Sequence, residues 1–197
     1  MIQRDFQTTF NSLELISEST LFVFALDSEA AEEFHHVNKL IVGVGKINVA
    51  YELTKGIYHH KPKLIVNLGS AGSNLFIRGQ VVCCTKFLQR DMDVRGLGFQ
   101  QYQIPFSDIP PLLNYGIKIK GLPEGICGSG DNFETNHFSS DYNVVDMEAY
   151  SFAFVAMKEQ IPLLCLKYIS DGADGMAAED WNVQVHNAAV AFKKILF

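Results

Sequence analysis

Apolar positions along the chain fall into short, nearly continuous runs, separated by longer stretches in which they recur every three or four residues. The runs are LFVFAL at 21–26, KLIVGVG at 39–45, KLIVNLG at 63–69, QVVCCTKF at 80–87, EGICGSGD at 124–131 and LLCLKYIS at 163–170. Runs rich in β-branched and aromatic residues, without polar alternation, predict strands buried on both faces. Helical spacing marks 47–60, 146–160 and about 180–196, where Trp181, Val185, Ala188, Ala189 and Phe192 share one apolar side. Strands alternating with helices predict a single α/β domain over 1–197, with a largely parallel sheet and helices on its faces. Residues 1–19 are polar and weakly patterned, and predict a leading arm or a short helix. The segment 89–120 contains Pro105, Pro110 and Pro111 and predicts a long excursion from the sheet.

Ligands of such sheets bind beyond the carboxyl ends of the strands. Here those ends read Asp27-Ser28-Glu29, Gly69-Ser70-Ala71-Gly72, Gly130-Asp131-Asn132-Phe133 and Ser170-Asp171. Carboxylates, a hydroxyl, an aromatic ring and glycine backbone would share one rim.

Composition narrows the ligand. With 197 residues, 48% hydrophobic and 19% charged, the chain has the make-up of one globular core. A formal net charge of −6, with 16 scattered Lys and Arg, gives no electrostatic footprint for nucleic acid or an anionic membrane. A small-molecule or protein partner is expected. Cys83, Cys84, Cys127 and Cys165 lie in apolar surroundings without CxxC spacing and are expected to be buried free thiols. The histidines come mainly as adjacent pairs, which rarely converge on one metal, so all six are read as surface or satisfied side chains and no metal is expected. The run at 21–26 is too short to span a bilayer and has no signal-peptide flanks, so the expected location is the cytoplasm.

The acids separate by position. In VVDMEAY, a helix starting near Met147 would place Asp146 at its N-cap and Glu148 on the apolar stripe with Phe152, Val155 and Ala156. A buried carboxylate needs partners, which could be backbone N–H groups or the hydroxyls of a ligand. Asp171 follows an apolar strand, where burial would raise its pKa and suit it to donate a proton. Among the acids of DSEAAEEF, Glu29 is the one placed to face the rim, while Glu32 and Glu33 look like a solvated face. GVGK and NLGSAGS lack the spacing of phosphate or dinucleotide loops, which leaves them as strand-to-helix turns or ligand cradles.

Together these pieces resemble the purine nucleoside phosphorylase/nucleosidase family, most closely its hydrolytic branch, the 5′-methylthioadenosine/S-adenosylhomocysteine nucleosidases. The matching stretches, in order, are ALDSEA, GVGKINVA, IVNLGSAG, DMDVRGLGF, GSGDNF, VVDMEA and ISDGAD, from about residue 21 to 174. The resemblance implies a three-layer α/β/α domain around a mixed, mostly parallel twisted sheet. It also implies a cofactor-free enzyme that hydrolyses an N-glycosidic bond. Glu29 matches the glutamate that activates water, and Asp171 the aspartate that protonates the purine at N7. Glu148 matches the carboxylate that holds the ribose hydroxyls, and Met147 a side chain along the sugar. Phe133 matches the ring that stacks on the base, Ser70 a hydroxyl near the water, and Val44 an apolar wall for the 5′ substituent.

Two further implications concern the nucleophile and assembly. Phosphorylases of the family carry an arginine where VNLGS here places Asn67, which favours water over phosphate. A phosphate-dependent phosphorylase and a non-catalytic nucleoside-binding protein are the alternatives. In the resembling nucleosidases the DMDVRGLGF stretch reaches a neighbouring subunit's 5′ pocket, so Val94, Leu97 and Pro105 imply a homodimer with shared sites.

Overall fold

The structure is a computed structural model that describes residues 9–10, 18–137 and 139–197, without the side chains of 9, 10, 182, 183 and 185. Most of the arm expected at 1–19, and the side chain of Val185, lie outside the described residues. The strands are β1 (Thr9–Phe10), β2 (Thr20–Phe24), β3 (Lys39–Ile41), β4 (Leu64–Gly72), β5 (Val81–Gln89), β6 (Leu112–Asn114), β7 (Lys118–Ile119), β8 (Glu124–Ser129), β9 (Val144–Asp146) and β10 (Leu163–Asp171). The helices are α1 (Asp27–Ala30, a single turn), α2 (Lys46–His60), α3 (Ala149–Lys158) and α4 (Ala177–Leu196).

Every predicted run holds a strand, and the long ones are buried along most of their length. Every residue of β10 is buried, as is all of β2. Alternation then divides the side chains. Leu21, Val23, Ile65, Leu163, Cys165 and Ile169 join one cluster with α2 and α3. Phe22, Phe24, Val66, Leu68, Leu164 and Leu166 join another with α4, through Ala188, Ala189 and Phe192.

The sheet is mixed. β4 pairs in parallel with β2 and β10, while β10 pairs antiparallel with β5. β5 continues in parallel to β8, and β8 to β9. Gly72, the last residue of β4, then pairs antiparallel with Val145 of β9, so β4, β10, β5, β8 and β9 close into a ring. That closure brings the ends of β4, β8, β9 and β10 to one mouth. Between Ile169 and Asp171 the register against β4 shifts by one, leaving Ser170 as an extra residue, a β-bulge.

Two local expectations are corrected. VVD forms the short strand β9 rather than a helix start, because Val144, Val145 and Asp146 pair with Cys127, Gly128 and Ser129. The helix begins at Ala149, so Glu148, and not Asp146, occupies the N-cap position. The excursion at 89–120 also carries structure of its own, a 3₁₀ turn at Arg95–Leu97 and strands β6 and β7. All four cysteines are buried and free. His137 is the buried histidine, bonded through Nε2 to the Tyr142 carbonyl. No described helix is long and apolar enough to cross a membrane.

Candidate active site

The mouth of the ring is a cleft of about 260 Å³. Glu29, Val44, Ser70, Phe133, Met147, Glu148 and Asp171, all expected from the sequence, line it. Val94, Leu97 and Pro105 are not part of the lining. Leu97 instead stands 75% exposed on the excursion, beside a fully projecting Phe106 at 96%.

Glu29 is only 4% exposed. Its Oε1 accepts two hydrogen bonds from Ser70, from the backbone N–H and from the hydroxyl, both at 2.7 Å. Its Oε2 accepts a longer one, 3.2 Å, from the Leu26 N–H. As the third residue of the one-turn helix α1, Glu29 can reach back to the chain that precedes the turn, so the same short turn that buries it also orients it.

Asp171 ends β10 and is 3% exposed. Burial is the main reason its pKa is raised, and Asp180 and Asp174 add to the effect. The Ala173 N–H donates to Oδ1 at 2.9 Å, and the Ser170 hydroxyl lies 2.8 Å from Oδ2. The Ser170 oxygen is also 3.2 Å from the Ala71 carbonyl. When Asp171 carries a proton on Oδ2, Ser170 can accept it as a hydrogen bond and donate to Ala71, so the pocket accommodates both states of the acid.

Glu148 is 8% exposed and its carboxyl is pushed up to about 7, first by burial and then by the neighbouring charge of Asp146. The Gly45 N–H donates to its Oε1 at 2.8 Å. Gly45, at φ +92°, opens helix α2 and cannot readily be replaced by a residue with a side chain. The turn is held from outside the cleft. Lys46 donates its backbone N–H to Asp131 and its ammonium to Asp91, and burial of Asp91 is outweighed by Lys46, so its pKa is lowered. GVGK is therefore a turn that aims a backbone donor at Glu148.

Asp146 does cap the helix start, accepting from the Ala149 N–H at 2.8 Å, but that is the smaller part of its role. Its carboxylate also receives the Ser129 hydroxyl and stands 2.8 Å from the Lys167 ammonium. Burial would drive Asp146 up and Lys167 down, and the pairing reverses both: Asp146 is lowered and Lys167 raised. The ammonium sits under Gly69, where an added Cβ would be 3.1 Å from Lys167 Nζ and 3.4 Å from Glu29 Oε1. A lysine thus underlies the floor between the acids, in space left open by a glycine.

Three contributors escaped the sequence reading. Arg90 lines the cleft and clamps the loop that presents Phe133, with bonds to both oxygens of Asn132 and an ion pair of 2.9 Å to Glu134. Phe133 is left half-exposed, with its ring free to meet a flat ligand. Trp181, read as a packing residue, donates its indole N–H to Ser70 Oγ at 2.9 Å. Lys167 lies within the run LLCLKYIS and was given no role of its own. Asn67 is buried, with its amide donating to the Val23 carbonyl and accepting from Cys165 Sγ.

Comparison with known proteins gives the chain a family. Residues 35–196 match the family model described as the phosphorylase superfamily. A 5′-methylthioadenosine/S-adenosylhomocysteine nucleosidase from Staphylococcus saprophyticus is 30% identical over 175 residues, covering 78% of this chain and 76% of that protein. Another, from Exiguobacterium sp., is 28% identical over 180 residues, covering 78% and 75%. In structure, the Helicobacter pylori 5′-methylthioadenosine/S-adenosylhomocysteine nucleosidase superposes with a TM-score of 0.81 at 19% identity, covering 90% of this chain and 95% of that one. Futalosine hydrolase of Helicobacter pylori gives 0.78 at 19% identity, covering 90% and 94%. The two solved structures share the nucleosidase-like α/β fold with this chain, and the sequence matches decide its lineage: the chain belongs to the phosphorylase superfamily.

Proposed function

We propose that this chain hydrolyses the N-glycosidic bond of a purine nucleoside, 5′-methylthioadenosine, S-adenosylhomocysteine or a related adenine nucleoside, releasing free base and sugar. The observation that carries the reading is the convergence on one cleft of three buried carboxyl groups, Glu29, Glu148 and Asp171, beside a fourth, Asp146, that is paired with Lys167. The sequence relatives carry the same activity in their names. Glu29 lies outside the 35–196 match, so its role rests on geometry and on the sequence resemblance.

The chemistry divides among the three. Asp171, with its pKa raised, holds a proton for N7 of the departing purine, which turns an anionic leaving group into a neutral one. Glu148 binds the ribose 2′ and 3′ hydroxyls; when anionic it favours the positive charge that develops on the sugar as the bond breaks. Glu29 takes the proton of the attacking water from the opposite side. Phe133 stacks on the base, Met147 lies along the sugar, and Ser70 and Val44 complete the water and 5′ sides. No cofactor enters this scheme.

Water is preferred to phosphate because the cations near the cleft are already engaged. Arg90 is bonded to Asn132 and Glu134, and Lys167 to Asp146. Asn67 spends its amide inside the sheet. The domain reads as one three-layer α/β/α unit with a mostly parallel sheet, supported by the separate clusters that α2 with α3 and α4 make with the strands. A homodimer is supported by the apolar side chains left uncovered, Leu97 and Phe106 on the excursion and Ile47, Tyr51 and Tyr58 on α2.

Purified protein given these nucleosides in phosphate-free buffer should release adenine. No release from any purine nucleoside would overturn the proposal, and release only on adding phosphate, with a sugar 1-phosphate product, would replace it with phosphorolysis.

A further inference from the structure

Trp181 is the chain's one tryptophan. Its indole ring lines the cleft from α4, and its Nε1–H donates to Ser70 Oγ at 2.9 Å. An indole N–H can only donate, so Ser70 Oγ must accept there with a lone pair. The hydroxyl has one proton left to place, and Glu29 Oε1 lies 2.7 Å away. Oε1 already receives the Ser70 backbone N–H, also at 2.7 Å. Two short donors therefore saturate one carboxylate oxygen, while the other, Oε2, has the single 3.2 Å contact from Leu26.

We propose that Trp181 is a positioning residue for water activation: by occupying a lone pair of Ser70 Oγ, it commits the Ser70 proton to Glu29 Oε1 and leaves Oε2 to accept the proton of the attacking water. The inference rests on the reading of Glu29 as the base. In the step, a water O–H bond breaks as Oε2–H forms, and the water oxygen bonds to the anomeric carbon. The electrons of the broken glycosidic bond leave with the purine, which takes its proton from Asp171. With a phenyl ring at 181, the Ser70 hydroxyl would keep its acceptor but lose the donor that fixes its rotation. Glu29 would then sample orientations in which neither oxygen is consistently free.

The test combines kinetics with a direct view of the bond. Trp181→Phe keeps an aromatic ring at the position and removes the N–H; kcat should fall about 3- to 10-fold, the range one such hydrogen bond supports, with KM changed less. In a Ser70→Ala background the same substitution should cost no more than about twofold, since coupled residues do not add. In ¹⁵N-labelled native protein the single indole N–H resonance should shift in both Ser70→Ala and Glu29→Gln. That arm needs no turnover and no change at 181. Equal losses from Trp181→Phe with and without Ser70, or an indole resonance unmoved by Glu29→Gln, would overturn the relay. If Glu29→Gln keeps native turnover, it is the reading of Glu29 as base that fails; if Glu29→Gln is inactive and the other two losses are additive, only the relay fails.

Discussion

Lys167 and Asp146 form an ion pair of 2.8 Å beneath the cleft, with side chains 2% and 1% exposed. Breaking such a pair by removing one partner leaves an uncompensated buried charge. Lys167→Met is therefore expected to destabilise the protein by about 3–5 kcal/mol, read from urea unfolding. The sign with pH follows from Asp146, whose folded pKa is lowered. Its contribution is present above the ordinary value of 3.8 and is lost as pH falls through the folded value. In Lys167→Met that acid-side loss should disappear.

Glu148 runs the other way. Its folded pKa, about 7, exceeds the ordinary 4.5, so the fold favours the neutral acid. The penalty is absent below about pH 4.5 and fully present above about 7, and stability declines between the two as pH rises. Glu148→Gln should stabilise the ligand-free protein at pH 8 by about 1–3 kcal/mol, with little effect at pH 4. The same variant should lose most of its activity, because a neutral amide does not favour positive charge on the sugar. Melting curves at both pH values, beside initial rates, check both halves.

Asp171→Asn and Glu29→Gln each remove a proposed proton-transfer group while keeping its shape. Turnover is expected to drop about 10²–10⁴-fold in each, with the circular dichroism spectrum unchanged. Native-like rates in either would take that residue out of the mechanism.

Gly72→Ala tests the same acid from behind. A Cβ there would meet Asp171 Oδ1 at 2.5 Å and Val145 Cγ2 at 3.0 Å, so the carboxylate must move. A displacement of this kind should lower kcat by more than about tenfold, since small errors in a reacting geometry are expensive. A crystal structure of the variant should show the Asp171 side chain shifted.

Leu97→Asp addresses assembly. If this residue enters a neighbouring subunit's site, the charge should shift the molecule to monomer in light scattering and raise KM for nucleosides with apolar 5′ groups. An unchanged mass and an unchanged KM would remove Leu97 from any interface.

The acids were legible because each sits in a local signature, at the end of an apolar run or at the head of a helical one. Glu29 and Asp171 followed from the rule that strand ends gather, and Glu148 from its place on an apolar helical stripe. The supports were not legible. The bond from Trp181 to Ser70 joins positions 111 apart, and nothing in the helical spacing of Trp181 distinguishes a donor from a packing ring. Lys167 was hidden because its partner, Asp146, is supplied by a strand of three residues that runs straight into a helical pattern. The open choice for GVGK was settled by Glu148, a residue 103 positions away.

The extra residue at Ser170 has a consequence for how Asp171 is placed. Up to Ile169, β10 and β4 advance in step, with Tyr168 opposite Ser70 and Ile169 opposite Ala71. Because Ser170 is skipped, Asp171 falls opposite Gly72, two places beyond Ser70, and so shares the side that Ser70 presents. Simple alternation would have turned it the other way. The side that Asp171 faces is thus encoded as a parity, one residue more on β10 than on β4: were Ser170 paired with Gly72 in regular register, Asp171 would fall opposite Ser73 and turn away from Ser70 with every motif unchanged.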